Sequence, residues 1–524
     1  MRNTEQHTER HTEQGDKAGS APARNTGYGV LLRCLRDLPP LFLLICFVLC
    51  VYWSRHWPIV HDASIMHYVV FLMDHGMAPY RDIIDINLPA AYMIQWTAVH
   101  VFGAGNAAWR VFDVLTMVAA TAAGCWIALP YDWRAGMVGG LALGLLHLSG
   151  GPVEVGQRDW FLMVLLLLGY AFFFHALRKR QPLFMGLFAA AMGAAASIKP
   201  LAIPFPFVLL LLAWLILRRR HIAFGPYLRW ALLGACVPVL ASLLFLWRWH
   251  AFGAFLSIIR GLMSFYTGVG NAPQSFLIHM MFGRFLWTLT LCGVLVCLLA
   301  KTWKYSEIRL LALGVVFGAI LYFGQRKGWT YHKGTLIAFL LLWVSIQFYV
   351  ALQGKGAARV LGALGLLAFS LGAGDLWARS VPAAGFDETL QFSLQHDLEG
   401  LGGAALSGHV QCLEMGLGCI TDLYRMRLLQ PTGFISDFFV FTPDRIPALE
   451  KLKERFLAEV GARPPKVIIL VASDWATLNH VSYSQLDHWP ALRSFLRQNY
   501  TLYKDKRAPD GSLDRHSYQI YLKN

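Results

Sequence analysis

A chain of 524 residues that is 56% hydrophobic and only 15% charged, with a mean hydropathy of +0.46, is too apolar for an ordinary soluble protein and reads as a polytopic membrane protein. Its 46 Lys and Arg against 31 Asp and Glu give a formal charge of +15. In such a chain that surplus belongs first to cytoplasmic loops, and no nucleic-acid-binding module is visible. Seven of the nine cysteines fall in or beside predicted spans and read as small apolar residues, leaving Cys412 and Cys419 apart.

Residues 1–27 are polar and cannot bury enough apolar surface to fold alone, so 1–37 is expected to be a disordered cytoplasmic tail. Arg33 and Arg36 then precede an apolar run at 38–53 with no small-residue cleavage site after it, the pattern of an anchor whose chain runs outward. Ten further spans of ~20 residues are placed at 109–129, 134–149, 160–177, 183–198, 201–217, 227–247, 284–300, 308–323, 334–352 and 360–377, giving eleven in all. The stretch 88–103 is also apolar, but counting it would put the basic triplets 178–180 and 218–220 outside; it is read as a helix lying in the interface.

The expected architecture is a helical membrane domain over 38–379 with a long, irregular first outer loop at 55–108. A small soluble extracytoplasmic α/β domain follows over 380–524. In that domain the periodicity predicts helices at 443–460 and 489–500 and strands at 466–472 and 517–522. Cys412 and Cys419 would pair there in an oxidising compartment.

Sidedness makes the charges informative. The short cytoplasmic connections carry most of the basic residues, yet Arg158, Lys199, Arg260, Arg326, Lys327 and Lys333 are left in outer loops that should be poor in cations, which points to a bound anion. The same side holds Asp62, Asp74, Asp82, Asp85, Glu154 and Asp159. Acids facing cations suit group transfer from a lipid phosphate: a carboxylate accepts the proton of an incoming hydroxyl while cations neutralise the departing phosphate.

Asp62 is the leading candidate base, because Trp57 and Pro58 would hold it where a lipid headgroup lies. Asp82 and Asp85 flank a turn beside Arg81 and read as mainly structural. His61, Tyr80, Arg81, Asp85, Asn87, Arg158, Trp329 and Tyr331 are candidates to line the substrate cavity. His332 either donates to a phosphate oxygen or packs as a satisfied side chain. His61, His67 and His75 stand near these acids but without tight metal-ligand spacing.

These motifs resemble the GT-C superfamily of polyprenyl-phosphate-dependent glycosyltransferases, which includes protein O-mannosyltransferases and lipid A aminoarabinose transferases. The matching residues are Asp62 in VHDASIMHY, Gly76-Met77-Ala78-Pro79-Tyr80, Asn87-Leu88-Pro89, Asp159 in GQRDWFLM, Lys199-Pro200 and Trp329 to His332, within 38–377. The resemblance implies an inverting transfer from a polyprenyl-phosphate sugar to an extracytoplasmic acceptor, with Asp62 as general base. It implies that Asp159 supports Asp62 or joins it on a divalent ion such as Mg or Mn. Lys199, Arg326, Lys327 and His332 would meet the lipid phosphate. Many members have paired acids where this chain has His61-Asp62-Ala63, which weighs against a metal, and aminoarabinose-type members have Lys where it has Asn87, which leaves the sugar open.

Other classes remain to be weighed. A transporter or flippase would show ionisable groups inside its spans and related halves; here Asp113 and His147 are the clearest internal polar groups and no repeat is evident. A polysaccharide polymerase or ligase would place its large outer loop later. In a sensor or assembly subunit the C-terminal domain would be the working part.

Overall fold

The computed structural model describes residues 27–414, 418–435, 439–442, 446–472 and 481–524. Most of the expected N-terminal tail lies outside the described residues, and α1 (Gly27–Trp53) begins within its final third. In the first outer segment 61–74, expected as irregular loop, is a helix, α2 (His61–Asp74), whereas α3 (Pro89–Phe102) is the helix expected at 88–103. In α2 nine residues, from Ala63 to Met73, are buried.

The bundle continues through α4 (Asn106–Ala128), α5 (Trp133–Ser149), α6 (Arg158–Lys179), α7 (Leu183–Ala196), α8 (Pro204–Arg219) and α9 (Gly225–Arg248). Then come α10 (Phe252–Gly268), α11 (Gln274–Met281), α12 (Arg284–Leu299), α13 (Ser306–Gln325), α14 (Gly334–Leu352) and α15 (Gly356–Gly372). Among the described residues eight helices are long and apolar enough to cross a membrane, those at the positions of α1, α4, α6, α8, α9, α13, α14 and α15. The other three predicted spans fall on α5, α7 and α12, of 17, 14 and 16 residues, shorter than the ~20 a straight crossing needs. The break between α11 and α12 bends the chain by 75°.

Small residues set the packing. Gly136 of α5 lies against the Gly124 backbone of α4, and Gly234 of α9 against Gly186 of α7, so a methyl at either site would collide with main chain. Without a hydrophobic force between helices in lipid, such close approach is what gives them contact. At the centre, α14 is almost wholly buried. The internal polar groups satisfy one another: Asp113 accepts from Arg110 Nη1 at 2.5 Å and faces His147 Nε2 at 2.9 Å.

After the bundle come α16 (Thr389–Gly400), β1 (Val410–Leu413), α17 (Cys419–Arg425), α18 (Pro447–Ala462), β2 (Val467–Val471), α19 (Pro490–Asn499), β3 (Tyr500–Lys506) and β4 (Tyr518–Lys523). They form an α/β unit with a sheet of order β1-β2-β4-β3. β1 and β2 are parallel, with Val410 opposite Val467, and the other pairs are antiparallel. The predicted strands and helices of this unit are present within a few residues, and Cys412 is bonded to Cys419, tying β1 to the start of α17.

Candidate functional site

One end of the bundle, the tips of α6, α8 and α13, and the segment 86–88 enclose a cavity of about 670 Å³. Its two ends differ. Asn87, Arg158, Asp159, Lys199, Gln325, Lys327 and His332 make a polar end, whereas Leu201, Pro204, Phe205, Val208, Val316 and Ile320 make an apolar trough between α8 and α13. Leu201, Val208, Val316 and Ile320 are exposed on the side of the bundle, so the trough opens sideways.

Two ion pairs build the polar end. Asp159, in the first turn of α6, accepts from Lys199 Nζ at 2.8 and 2.7 Å. Lys199 also donates to Gln325 Oε1, at the last residue of α13. Burial lowers the Lys199 ammonium below its ordinary range, with Asp159 opposing. The second pair joins Arg158 Nη2 to Asp62 Oδ2 at 3.1 Å. Burial alone would raise the Asp62 carboxyl, but Arg158 and then His61 hold it well below the usual carboxylate range.

Behind Arg158 stands a hydrogen-bonded chain through Asn87, Asp85 and Tyr92, of which Asn87 alone lines the cavity that Tyr80, Asp85 and Asn87 were expected to line. Arg158 Nη1 donates to Asn87 Oδ1 at 2.7 Å, and Asp85 accepts from Asn87 Nδ2 at 2.5 Å and from the Tyr92 hydroxyl at 2.8 Å. The Tyr80 hydroxyl donates to the Asn87 carbonyl at 2.6 Å. Tyr80 takes a left-handed backbone, φ 66°, a conformation that a bulky residue keeps only when its surroundings require it. Asp85 and Tyr80 thus position Asn87, and Asn87 positions Arg158.

Other expected residues have separate places. His332 is buried, 3.9 Å from Asp159 Oδ2, and Tyr331 and Trp329 line the same cavity. Lys327 donates to the Tyr266 carbonyl at 2.9 Å and to the Val269 carbonyl at the end of α10. Burial, then Lys199, brings the Lys327 ammonium down to about 8. Arg326 is exposed and outside the cavity lining, because its left-handed backbone, φ 57°, turns the chain at the end of α13. Arg81 is also outside it, paired with Asp82 at 2.8 Å on the surface. Asp62 itself does not line the cavity; Arg158 stands between them.

Sequence reading missed three contributors. Met263, Tyr266 and Thr267 of α10 cover the cavity, although α10 carries no motif that would mark it. Gln325 stands beside the noted basic run yet drew no role of its own. The C-terminal unit holds the helix that bears Asp62: Ser64 Oγ and Thr421 Oγ1 are 2.7 Å apart, the Tyr68 hydroxyl donates to the Leu428 carbonyl at 3.0 Å, and Tyr68 accepts from Gln430 N at 3.0 Å.

The acids do not fit a divalent ion. Asp62 and Asp159 each already face a fixed cation, and among the described residues no group of three or more His, Cys, Asp and Glu side chains is placed to hold a metal.

No family model matches the sequence, and no curated protein matches it. Solved membrane proteins are similar in fold. ArnT from Cupriavidus metallidurans, bound to undecaprenyl phosphate, is 12% identical with a TM-score of 0.57, over 95% of this chain and 98% of that one. The Archaeoglobus fulgidus oligosaccharyltransferase is 9% identical with a TM-score of 0.51, over 86% of this chain and 70% of that one. Arabinofuranosyltransferase AftD from Mycobacteria is 12% identical with a TM-score of 0.52, over 92% of this chain and 40% of that one. This chain is an integral membrane protein that shares its fold with these solved structures.

Proposed function

We propose that the protein is a membrane glycosyltransferase that moves a sugar from a polyprenyl-phosphate carrier to an acceptor on the extracytoplasmic side. The observation that carries this reading is the cavity: cations at one end, an apolar trough opening sideways at the other. A ligand that satisfies both ends has a phosphate and a long hydrocarbon tail. The similar fold of an ArnT bound to undecaprenyl phosphate supports the same reading.

In this proposal the lipid phosphate lies against Lys199, Arg158 and Lys327, and the prenyl chain leaves along α8 and α13. The acceptor hydroxyl attacks the anomeric carbon from the side of Asp62, opposite the phosphate, so the configuration inverts. As the carbon–oxygen bond to phosphate breaks, its electron pair stays on the lipid phosphate, where fixed cations need no reorganisation to stabilise it. Asp62 marks the basic side of the site. Incubating the protein in nanodiscs with labelled polyprenyl-phosphate sugars and candidate acceptors tests this. Label should move to an acceptor with wild type and not with Asp62→Asn; undiminished transfer by the variant would sink the mechanism.

A further inference from the structure

Asp62 is poorly suited to keep a proton. Its Oδ2 is held by Arg158 at 3.1 Å, and the carboxyl sits well below its ordinary range, with burial opposing and Arg158 the chief cause. A base so weakened returns its proton at once, and efficient general-base catalysis needs a group that titrates near the working pH. Such a group lies one residue away.

His61 Nδ1 is buried and makes no hydrogen bond, yet it lies 3.3 Å from Asp62 Oδ1. The contact has ion-pair range but falls off the line of a full hydrogen bond. The rest of the ring is open: the His61 side chain is 34% exposed, against 19% for Asp62. With Nδ1 turned inward to the carboxylate, the accessible nitrogen is Nε2. A carboxylate behind one nitrogen and a free lone pair on the other is the arrangement by which an imidazole is fixed in the tautomer that accepts a proton.

The backbone supports the placement. His61 opens α2 with φ 55°, in the left-handed region that non-glycine residues seldom occupy. Backbone strain of this kind gathers at functional sites.

Resting on the glycosyl-transfer reading, we infer that His61 receives the acceptor's proton at Nε2, while Asp62 orients the ring and balances its charge. The acceptor O–H bond breaks as its oxygen bonds to the anomeric carbon, and the sugar–phosphate bond breaks with its electron pair retained by the lipid phosphate. The proton ends on His61, leaving an imidazolium beside the Asp62 carboxylate, and solvent removes it. The charged groups that face His61 are Asp62 on its own helix, Arg158 at the start of α6 and Glu154 before it. Burial acts to lower the imidazole, but Asp62 carries it above its ordinary value, with Arg158 opposing and Glu154 assisting.

The test is transfer by the intact protein in nanodiscs across pH, for wild type, His61→Asn and Asp62→Asn. Asparagine tolerates the left-handed backbone, so His61→Asn keeps the turn and removes the base. An imidazole must be neutral to accept a proton, so wild-type kcat/KM should fall as pH drops through a midpoint above ~6.5, the ordinary histidine value. His61→Asn should lose about 10²-fold or more together with that acid limb, while binding polyprenyl phosphate as wild type does. Residual activity of Asp62→Asn should show the limb at lower pH. If His61→Asn keeps both the rate and the limb, the proton assignment is overturned and glycosyl transfer stands. Absence of transfer by wild type from every polyprenyl-phosphate sugar would overturn both.

Discussion

Asp62 and Asp159 are both buried-side acids held by a neighbouring cation, but their surroundings differ. Asp159 begins a membrane helix, its two oxygens are both taken by Lys199, and its pair is extended to Gln325 at the end of α13. Asp62 sits on α2, a helix held from outside by the C-terminal unit through Ser64 and Tyr68, with one oxygen toward Arg158 and the other toward His61. The first pair is locked by the bundle and faces the apolar trough. Held between two domains, the second lies beyond Arg158 on the side where an acceptor would arrive. In the proposed reaction the same residue type serves two ends: one pair would hold charge for the phosphate, the other would handle a proton.

The largest effect should come from the acceptor side. Asp62→Asn should lower transfer by about 10²–10⁴-fold, read as label reaching the acceptor. On the lipid side, Lys199→Ala should weaken polyprenyl phosphate binding by roughly 1.5–3 kcal/mol, the loss of a hydrogen bond to a charged group, as measured by lipid titration in nanodiscs. If the two variants lose binding alike, the division between the pairs is broken.

Replacing Cys412 and Cys419 together by Ser should cost about 2–4 kcal/mol of stability in the C-terminal unit, seen as a lower unfolding temperature. Because α17 packs on α2, this change should also reduce transfer more than it reduces lipid binding. The smallest effects belong to Arg326→Ala and Arg81→Ala. Both side chains lie outside the cavity lining, and exposed charges of this kind contribute within ~1 kcal/mol. Unchanged lipid affinity in Arg326→Ala would separate it from Lys199 and Lys327, with which the resemblance groups it.

Much of this was legible from residue order. Apolar runs placed the helices because a span must bury about 20 residues in lipid, and of the six cations stranded on the acidic side Arg158, Lys199 and Lys327 line the cavity while Arg260, Arg326 and Lys333 do not. The pairing of Asp159 with Lys199 joins residues 40 apart, which no periodicity encodes. α2 was read as irregular loop because its polar residues are interspersed with buried ones, and its buried face is matched by α17, more than 350 residues later. The reach of Asp85 to Arg158 through Asn87 depends on a turn whose left-handed Tyr80 has no glycine to announce it.

The most direct measurement is the affinity of the Asp62→Asn protein for polyprenyl phosphate, titrated in nanodiscs beside wild type. The account predicts equal affinities within about twofold, ~0.4 kcal/mol, even as transfer is lost. A fall in affinity that matches the fall in transfer would show that Asp62 serves the phosphate rather than the proton, and would contradict it.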